Sequence, residues 1–358
     1  MILDLAIFII VLAVLILAHE FGHFIVARKN GVRVDEFGFG FPPRLFGFKY
    51  GQTLYSFNLF PLGGFVRIAG ENESVSADPE NFASKSIYAR FAVVFAGVLF
   101  NIILAFVIFS AVATAGIPVD AEDPYWAGRV RDASITVTEV LKDSAAERSG
   151  FKMGDKILEL KTDSGNVLRP LDVSEIQRFT GDNAGRTITA KIERSGQNIV
   201  LSADLAENEI PLGVATAKVG KITAPWYLSP VVGLELTFIA LARTADGFLF
   251  ILGLLFSGQS VAGFISGPVG IFTLVSGILD FGIITLLTFT ASLSINLAII
   301  NLMPFPALDG GRILFLAIEA LRGRPISQKT GNLAHALGFA ILIMLMAVIT
   351  YLDIKFRL

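Results

Sequence analysis

Residues 5–18 carry no charge, and this apolar run leads straight into His19-Glu20-Phe21-Gly22-His23 before apolar residues resume at Phe24-Ile25-Val26-Ala27. A bilayer-spanning helix needs about 20 predominantly apolar residues, so residues 2–27 are expected to form one. Two imidazoles and a carboxylate then lie inside greasy surroundings. Ionisable groups in such a helix are expensive without partners and mark an interior functional site. Helical positions four apart share a face, so His19 and His23 can hold one divalent cation. Glu20 stands beside them, close enough to hold an attacking water. The pattern also arises by chance in soluble helices; its apolar setting is what carries the weight.

Composition agrees with a chain that crosses a membrane several times. Hydrophobic residues make up 53% and charged residues 17%, with a mean hydropathy of +0.66. The net charge of −2 implies no pull toward nucleic acid. Cysteine is absent, which excludes disulfides, thiolate metal sites and a cysteine nucleophile. Any metal must be held by His, Asp or Glu, and only three histidines exist. The N-terminus lacks the basic start of a secretory signal, since Asp4 is its only early charge, and no small-residue cleavage site precedes His19. We expect a retained anchor.

Four spans are expected: residues 2–27, 91–119, 280–309 and 333–352, the last with His335 as its one ionisable group. Basic residues fill the loop after the first span (Arg28, Lys29, Arg33, Arg44, Lys49, Arg67, Lys85, Arg90) and the loop before the last (Arg312, Arg322, Arg324, Lys329). The positive-inside rule makes both loops cytoplasmic. His19, His23 and Asp309 then lie at one depth, toward the cytoplasm. The stretch 228–279 is apolar enough to span. However, Glu235, Arg243 and Asp246 fall within an arc of about 80° at 100° per residue. Gly258, Gly263, Gly267, Pro268 and Gly270 follow as helix breakers. We read this stretch as an amphipathic helix lying in the interface without crossing.

Between residues 126 and 221 the chain turns soluble. Residues 135–140 and 187–192 alternate like strands, and residues 144–158 read as a short helix, a glycine turn and a strand. In the first loop, Phe37-Gly38-Phe39-Gly40-Phe41-Pro42-Pro43 cannot be helical. Residues 55–66 alternate like a hairpin strand that ends on Gly63-Gly64. Apolar strands beside a membrane must hide their backbone against protein or a cavity, and an exposed edge would accept an extended peptide.

A catalytic zinc site takes three protein ligands and keeps one position open. His335 makes a poor third ligand and reads as a packed or hydrogen-bonded helix residue. Asp309 is better placed: Pro304 and Pro306 end the preceding helix, and Gly310-Gly311 let the chain turn, so the carboxylate can point inward. Asn301 reads equally as a helix–helix residue or a substrate-positioning amide. Asn101 reads as a packing residue.

These residues together resemble the site-2 protease family of intramembrane zinc metalloproteases, and within it the bacterial regulator of sigma-E protease subgroup. The resemblance is carried by His19-Glu20-Phe21-Gly22-His23, Ala27-Arg28, Gly31-Val32, Gly38-Phe39-Gly40, Pro61-Leu62-Gly63-Gly64 and Ser266-Gly267-Pro268-Val269-Gly270-Ile271. Asn301-x-x-Pro304-x-Pro306-x-Leu308-Asp309-Gly310-Gly311 completes it. It implies Zn2+ held by His19, His23 and Asp309, Glu20 as the catalytic carboxylate, and substrate handling by Asn301, Pro304, Gly63 and Gly64. It further implies a single-span membrane protein as substrate, such as an anti-sigma factor, cut after an upstream site-1 protease has acted. The location implied is the bacterial cytoplasmic membrane, with the active site toward the cytoplasm. The expected fold is a polytopic α-helical membrane protein with four transmembrane helices, a membrane-associated β element and one extracytoplasmic PDZ-like α+β domain. Its parts would be an N-terminal membrane region (1–125), the PDZ-like domain (126–221), an interfacial segment (222–280) and a C-terminal membrane region (281–358). Two features depart from the family. Val98 follows Ala96-Gly97 where many members have proline, although Asn101 is kept, and there is room for one PDZ domain where some relatives have two. The competing readings are a membrane-anchored zinc peptidase with an aqueous site, and a non-catalytic PDZ scaffold. The first lacks a soluble domain containing histidine.

Overall fold

The computed structural model describes residues 2–71, 73, 77–126, 128–194, 196–207, 211–261, 264–279 and 281–357. Two units divide the chain: residues 1–109, 233–275 and 289–358 form one, and residues 110–232 and 276–288 the other. Gly263 and Asp280, used above to place a break and a boundary, lie outside the described residues.

The first unit opens with α1 (Ile2–Lys29), which ends on Arg28 and Lys29, basic groups that suit the negative end of a helix. Gly31 then turns the chain at φ +66°, a conformation glycine adopts without penalty. Strands β1 (Val34–Tyr50) and β2 (Thr53–Ile68) form a folded-over hairpin. The first half of β1 is bracketed by both halves of β2: Phe37 faces Val66 and also Tyr55, and Gly38 faces Phe65 and also Ser56. The far half of β1 pairs back through Phe46–Phe57 and Tyr50–Thr53. Helix α2 (Ile87–Ala113) runs against α1. Their backbones approach at Gly22, where any Cβ would collide with the carbonyl oxygen of Ala96. Small residues at such crossings are how membrane helices pack closely. Phe24, Ala27, Val32, Val34, Ile68, Phe82, Val93 and Val94 bury one another where α1, α2 and the hairpin meet.

Later in the chain come helices α5 (Ser229–Phe256), α6 (Pro268–Leu279), α7 (Ile283–Leu302), α8 (Asp309–Arg322) and α9 (Gln328–Arg357). The Ser294 hydroxyl donates to the Asn101 carbonyl (2.8 Å), tying α7 to α2. Asp353 on α9 is buried, and its Oδ2 accepts from the amides of Gly267 (2.9 Å) and Gly270 (2.8 Å). A carboxylate there satisfies free amides at the start of α6 and complements the helix dipole.

The second unit holds a seven-stranded sheet in the order β3-β9-β4-β5-β7-β8, with a short β6 on β5. Its strands are β3 (Ile117–Asp120), β4 (Arg131–Val140), β5 (Lys156–Thr162), β6 (Val167–Leu168), β7 (Thr187–Arg194), β8 (Gln197–Asp204) and β9 (Val214–Ile222). Helices α3 (Ala145–Arg148) and α4 (Val173–Asp182) complete it. Ser144 accepts from the Glu147 amide and caps α3. Asp172 accepts from the Ser174 amide and caps α4, a bond that holds its carboxyl below the usual range. Val137, Leu160, Ile188, Ala190 and Ile192 are fully enclosed in the core.

One expectation changes. Residues 117–119, assigned above to the second span, form β3 paired with β9. The helix ends at Ala113 and Gly116 turns at φ +101°. An uncharged run does not by itself distinguish the end of a helix from a short strand. The stretch 228–279 opens with α5, an unbroken helix of 28 residues. With α1, α2, α7 and α9 it makes five helices that are long and apolar enough to cross a membrane, by length and composition. The glycine-rich break begins just after Phe256, and Glu235, Arg243 and Asp246 all lie within α5.

Gly22→Ala isolates the helix crossing. Alanine favours a helix over glycine by about 0.8–1.0 kcal/mol, so the substitution would stabilise α1 in isolation. Here it should lower the thermal midpoint of the detergent-purified protein. An unchanged or raised midpoint would contradict the close packing of α1 on α2.

Candidate metal centre

One face of α1, the second turn of α2 and the first residue of α8 converge in the first unit. Nε2 of His19 lies 3.2 Å from Nε2 of His23. Oδ2 of Asp309 lies 3.1 Å from the former and 3.3 Å from the latter. Among the described residues, these three form the one group of His, Cys, Asp and Glu side chains that could hold a metal ion. Ligand bonds of about 2.0–2.1 Å in a tetrahedron set ligand atoms about 3.3 Å apart. The observed triangle has that size. Asp309 Oδ2 is buried and accepts no hydrogen bond of ordinary geometry, which suits an atom whose lone pair is meant for a cation. The residues fit zinc: two imidazoles and one carboxylate leave a fourth position open.

The remaining ring nitrogens fix the orientation of the imidazoles. His23 Nδ1 donates to the Val93 carbonyl (2.8 Å), which leaves Nε2 as the bare, ligating nitrogen. His19 Nδ1 lies 3.3 Å from the side-chain amide of Asn101, which is fully buried. Asn101 Oδ1 has no partner. Turning the amide over brings that oxygen onto Nδ1–H and leaves Nε2 of His19 bare as well. Such outer partners hold metal-binding histidines in one tautomer and one direction. Gly97 supplies the room: a Cβ there would collide with Nε2 of His23 and come within 2.7 Å of Cε1 of His19.

Asp309 reaches the imidazoles because of the bend before it. Helix α7 stops at Leu302, ahead of Pro304 and Pro306, and Ala307 takes φ +82°. A Cβ on Gly310 would run into the carbonyls of Leu302 and Met303, and one on Gly311 into that of Phe305. Only glycine lets α8 begin folded back against its own lead-in, and that fold aims the carboxylate inward.

A cavity of about 310 Å3 opens over the triangle, lined by Glu20, Phe65, Ile68, Asn301, Arg312 and His335 among others. Glu20 is therefore beside the triangle, as its place in the motif requires. Gly64 stands next to it, with a Cβ position 3.5 Å from Glu20 Cγ. Asn301 lines the cavity. Pro304 is exposed in the bend and does not line it. Gly63 packs under the ring of Phe41. Three participants escaped the sequence reading. Asn101 was taken for packing, yet it touches His19; a lone buried amide in an uncharged span was the available signal. Glu71 and Arg312 pair on the cavity wall, and nothing local links residues so far apart in sequence.

A profile for peptidase family M50 matches residues 7–345. The zinc metalloprotease RasP of Oceanobacillus iheyensis is 30% identical, covering 97% of this chain and 98% of its own length. A putative zinc metalloprotease of Fusobacterium nucleatum is 34% identical, covering 97% of each chain. A third relative, a putative zinc metalloprotease of Clostridium acetobutylicum, is 30% identical over 99% of this chain and 98% of its own.

Two substitutions test the centre without touching a ligand. Gly97→Ala should lower the zinc content of the purified protein, because the imidazoles must move apart to admit a methyl group. Asn101→Leu should weaken zinc binding about 10–100-fold in a chelator competition, the range for losing a partner behind a ligand. Zinc retention equal to wild type in both would separate these residues from the site.

Proposed function

This chain belongs to peptidase family M50 and is a zinc metalloprotease, and we propose that it hydrolyses a peptide bond within or near the transmembrane segment of single-span membrane proteins. The observation that carries the reading is that Asp309 meets His19 and His23, with Glu20 beside them, on a helix (α1) otherwise apolar enough to span. A peptidase acting on soluble chains would gain nothing from placing its chemistry there.

In the proposed mechanism His19, His23 and Asp309 hold the ion. Bound there, zinc would supply Lewis acidity, making a water more acidic and a carbonyl more electrophilic. Glu20 takes the proton of the attacking water and returns it to the leaving amine. Asn301 reaches the cavity and can hold the substrate backbone by its amide. A helical substrate hides its carbonyls, so the target segment must unwind. The second half of β2 favours that step: residues 64–68 pair with β1 on one side, and Phe65, Val66 and Ile68 also line the cavity. An extended peptide adding to that edge would pass Glu20, and Gly64, having no side chain, leaves space for it.

We place the site toward the cytoplasmic face of a bacterial inner membrane, from the basic loops that flank α1 and α9. We assign four spans (α1, α2, α7 and α9) and keep α5 in the interface, where Glu235, Arg243 and Asp246 stay hydrated. The sheet of the second unit, with its two capped helices, we read as one extracytoplasmic PDZ-like domain that restricts or recognises substrates already shortened by a site-1 protease. Anti-sigma factors are one substrate class that fits.

The test uses detergent-purified wild type and Glu20→Gln with a panel of single-span peptides and metal analysis. Glu20→Gln should keep its zinc and lose cleavage about 10²–10⁴-fold, the contribution of a positioned general base. Efficient cutting by that variant would remove Glu20 from the mechanism. A wild type that cuts soluble unfolded peptides as well as single-span ones would remove the substrate class.

A further inference from the structure

We infer that α9, which offers no ligand to the cation, positions the carboxylate of Asp309 through a clamp made by His335 and Gly338. The inference rests on reading Asp309 as the third ligand. Four observations in one unit support it. The Ala307 amide donates to His335 Nδ1 at 3.1 Å. Ala307 holds φ +82°, a conformation that strains a non-glycine residue and persists only where its surroundings enforce it. One turn further along α9, Gly338 is buried against the same loop, so that a Cβ would collide with the Pro306 carbonyl. The imidazole is itself held edge-on to Phe315 of α8, with ring centroids 5.7 Å apart and planes at 84°. The Pro304–Leu308 segment is thus gripped on one side by the glycines of α8 and on the other by α9.

The physical consequence follows from the bend. Two prolines leave the segment few backbone donors, and the Ala307 amide is one that remains. Left unbonded, that amide would favour relaxation of Ala307 to negative φ, and Asp309 stands two residues beyond it. A swing of that hinge carries the carboxylate away from the imidazoles. With Nδ1 accepting, neutral His335 carries its proton on Nε2, so this imidazole acts as an acceptor at the loop rather than as a ligand. His335 is therefore a positioning residue.

The experiment compares full-length wild type, His335→Leu, His335→Asn and Gly338→Ala in detergent. It reads zinc release to a chromophoric chelator and the visible absorption of the cobalt-loaded proteins. Asparagine keeps an acceptor near the place of Nδ1, whereas leucine keeps only bulk. His335→Leu should release zinc at least 10-fold faster and change the cobalt band, as expected when one ligand is lost from a tetrahedral set. His335→Asn should stay within 3-fold of wild type with the wild-type band. Gly338→Ala leaves the imidazole untouched, displaces the loop, and should behave like His335→Leu. It also carries the test if the leucine variant fails to fold. Release rates and cobalt spectra equal to wild type in His335→Leu or in Gly338→Ala would overturn the clamp, as would a His335→Asn variant as defective as leucine. Wild type that binds no stoichiometric zinc would instead refute the metal reading itself.

Discussion

Burying two imidazoles and a carboxylate among apolar side chains is unfavourable unless a cation or protons sit between them. In this chain the three facing atoms stand 3.1–3.3 Å apart. Each is aimed by something outside the triangle: the Val93 carbonyl, the Asn101 amide and the bend before α8. Much of the first unit can be understood from that requirement. Gly22 and Gly97 let α2 approach α1 closely enough to enclose the imidazoles, and Gly310 and Gly311 let the third ligand enter from a helix that begins where another has just ended.

The folded hairpin answers a second requirement. Helices have no free backbone groups to offer to a cavity they enclose, whereas a strand edge does. Strand β2 has them, on the segment that lines the cavity. In the same hairpin the far half of β1 exposes Phe41, Leu45, Phe46, Phe48 and Tyr50, an apolar surface suited to lipid rather than to water. One element thus presents backbone to the site and aromatic rings outward, because strand pairing leaves side chains on two faces and hydrogen-bonding groups at the edges.

Several features were legible because they depend on neighbours in sequence. The pair His19 and His23 is a matter of helical spacing, and the strands at 135–140 and 187–192 of alternation. The turn before Asp309 is set by prolines and glycines with fixed conformational habits. Other features were not legible. Asn101 looked like any polar residue in a membrane helix, since its partner lies 82 positions away. Residues 117–119 looked like the end of a span, because only pairing with β9 makes them a strand.

Composition and local pattern, then, pointed to a membrane-bound metal hydrolase, with candidate ligands on the first helix and at a proline–glycine break before α8. Those properties reside in runs of a few residues, where backbone propensity and side-chain chemistry suffice. Tertiary structure alone decided that the three ligand atoms meet at the spacing a zinc ion demands, and that an amide, a carbonyl and a glycine on α2 arrange them. It also decided that α9 grips the loop carrying the carboxylate. Such relations are distances between segments tens to hundreds of residues apart, set by how helices pack rather than by what any one of them contains.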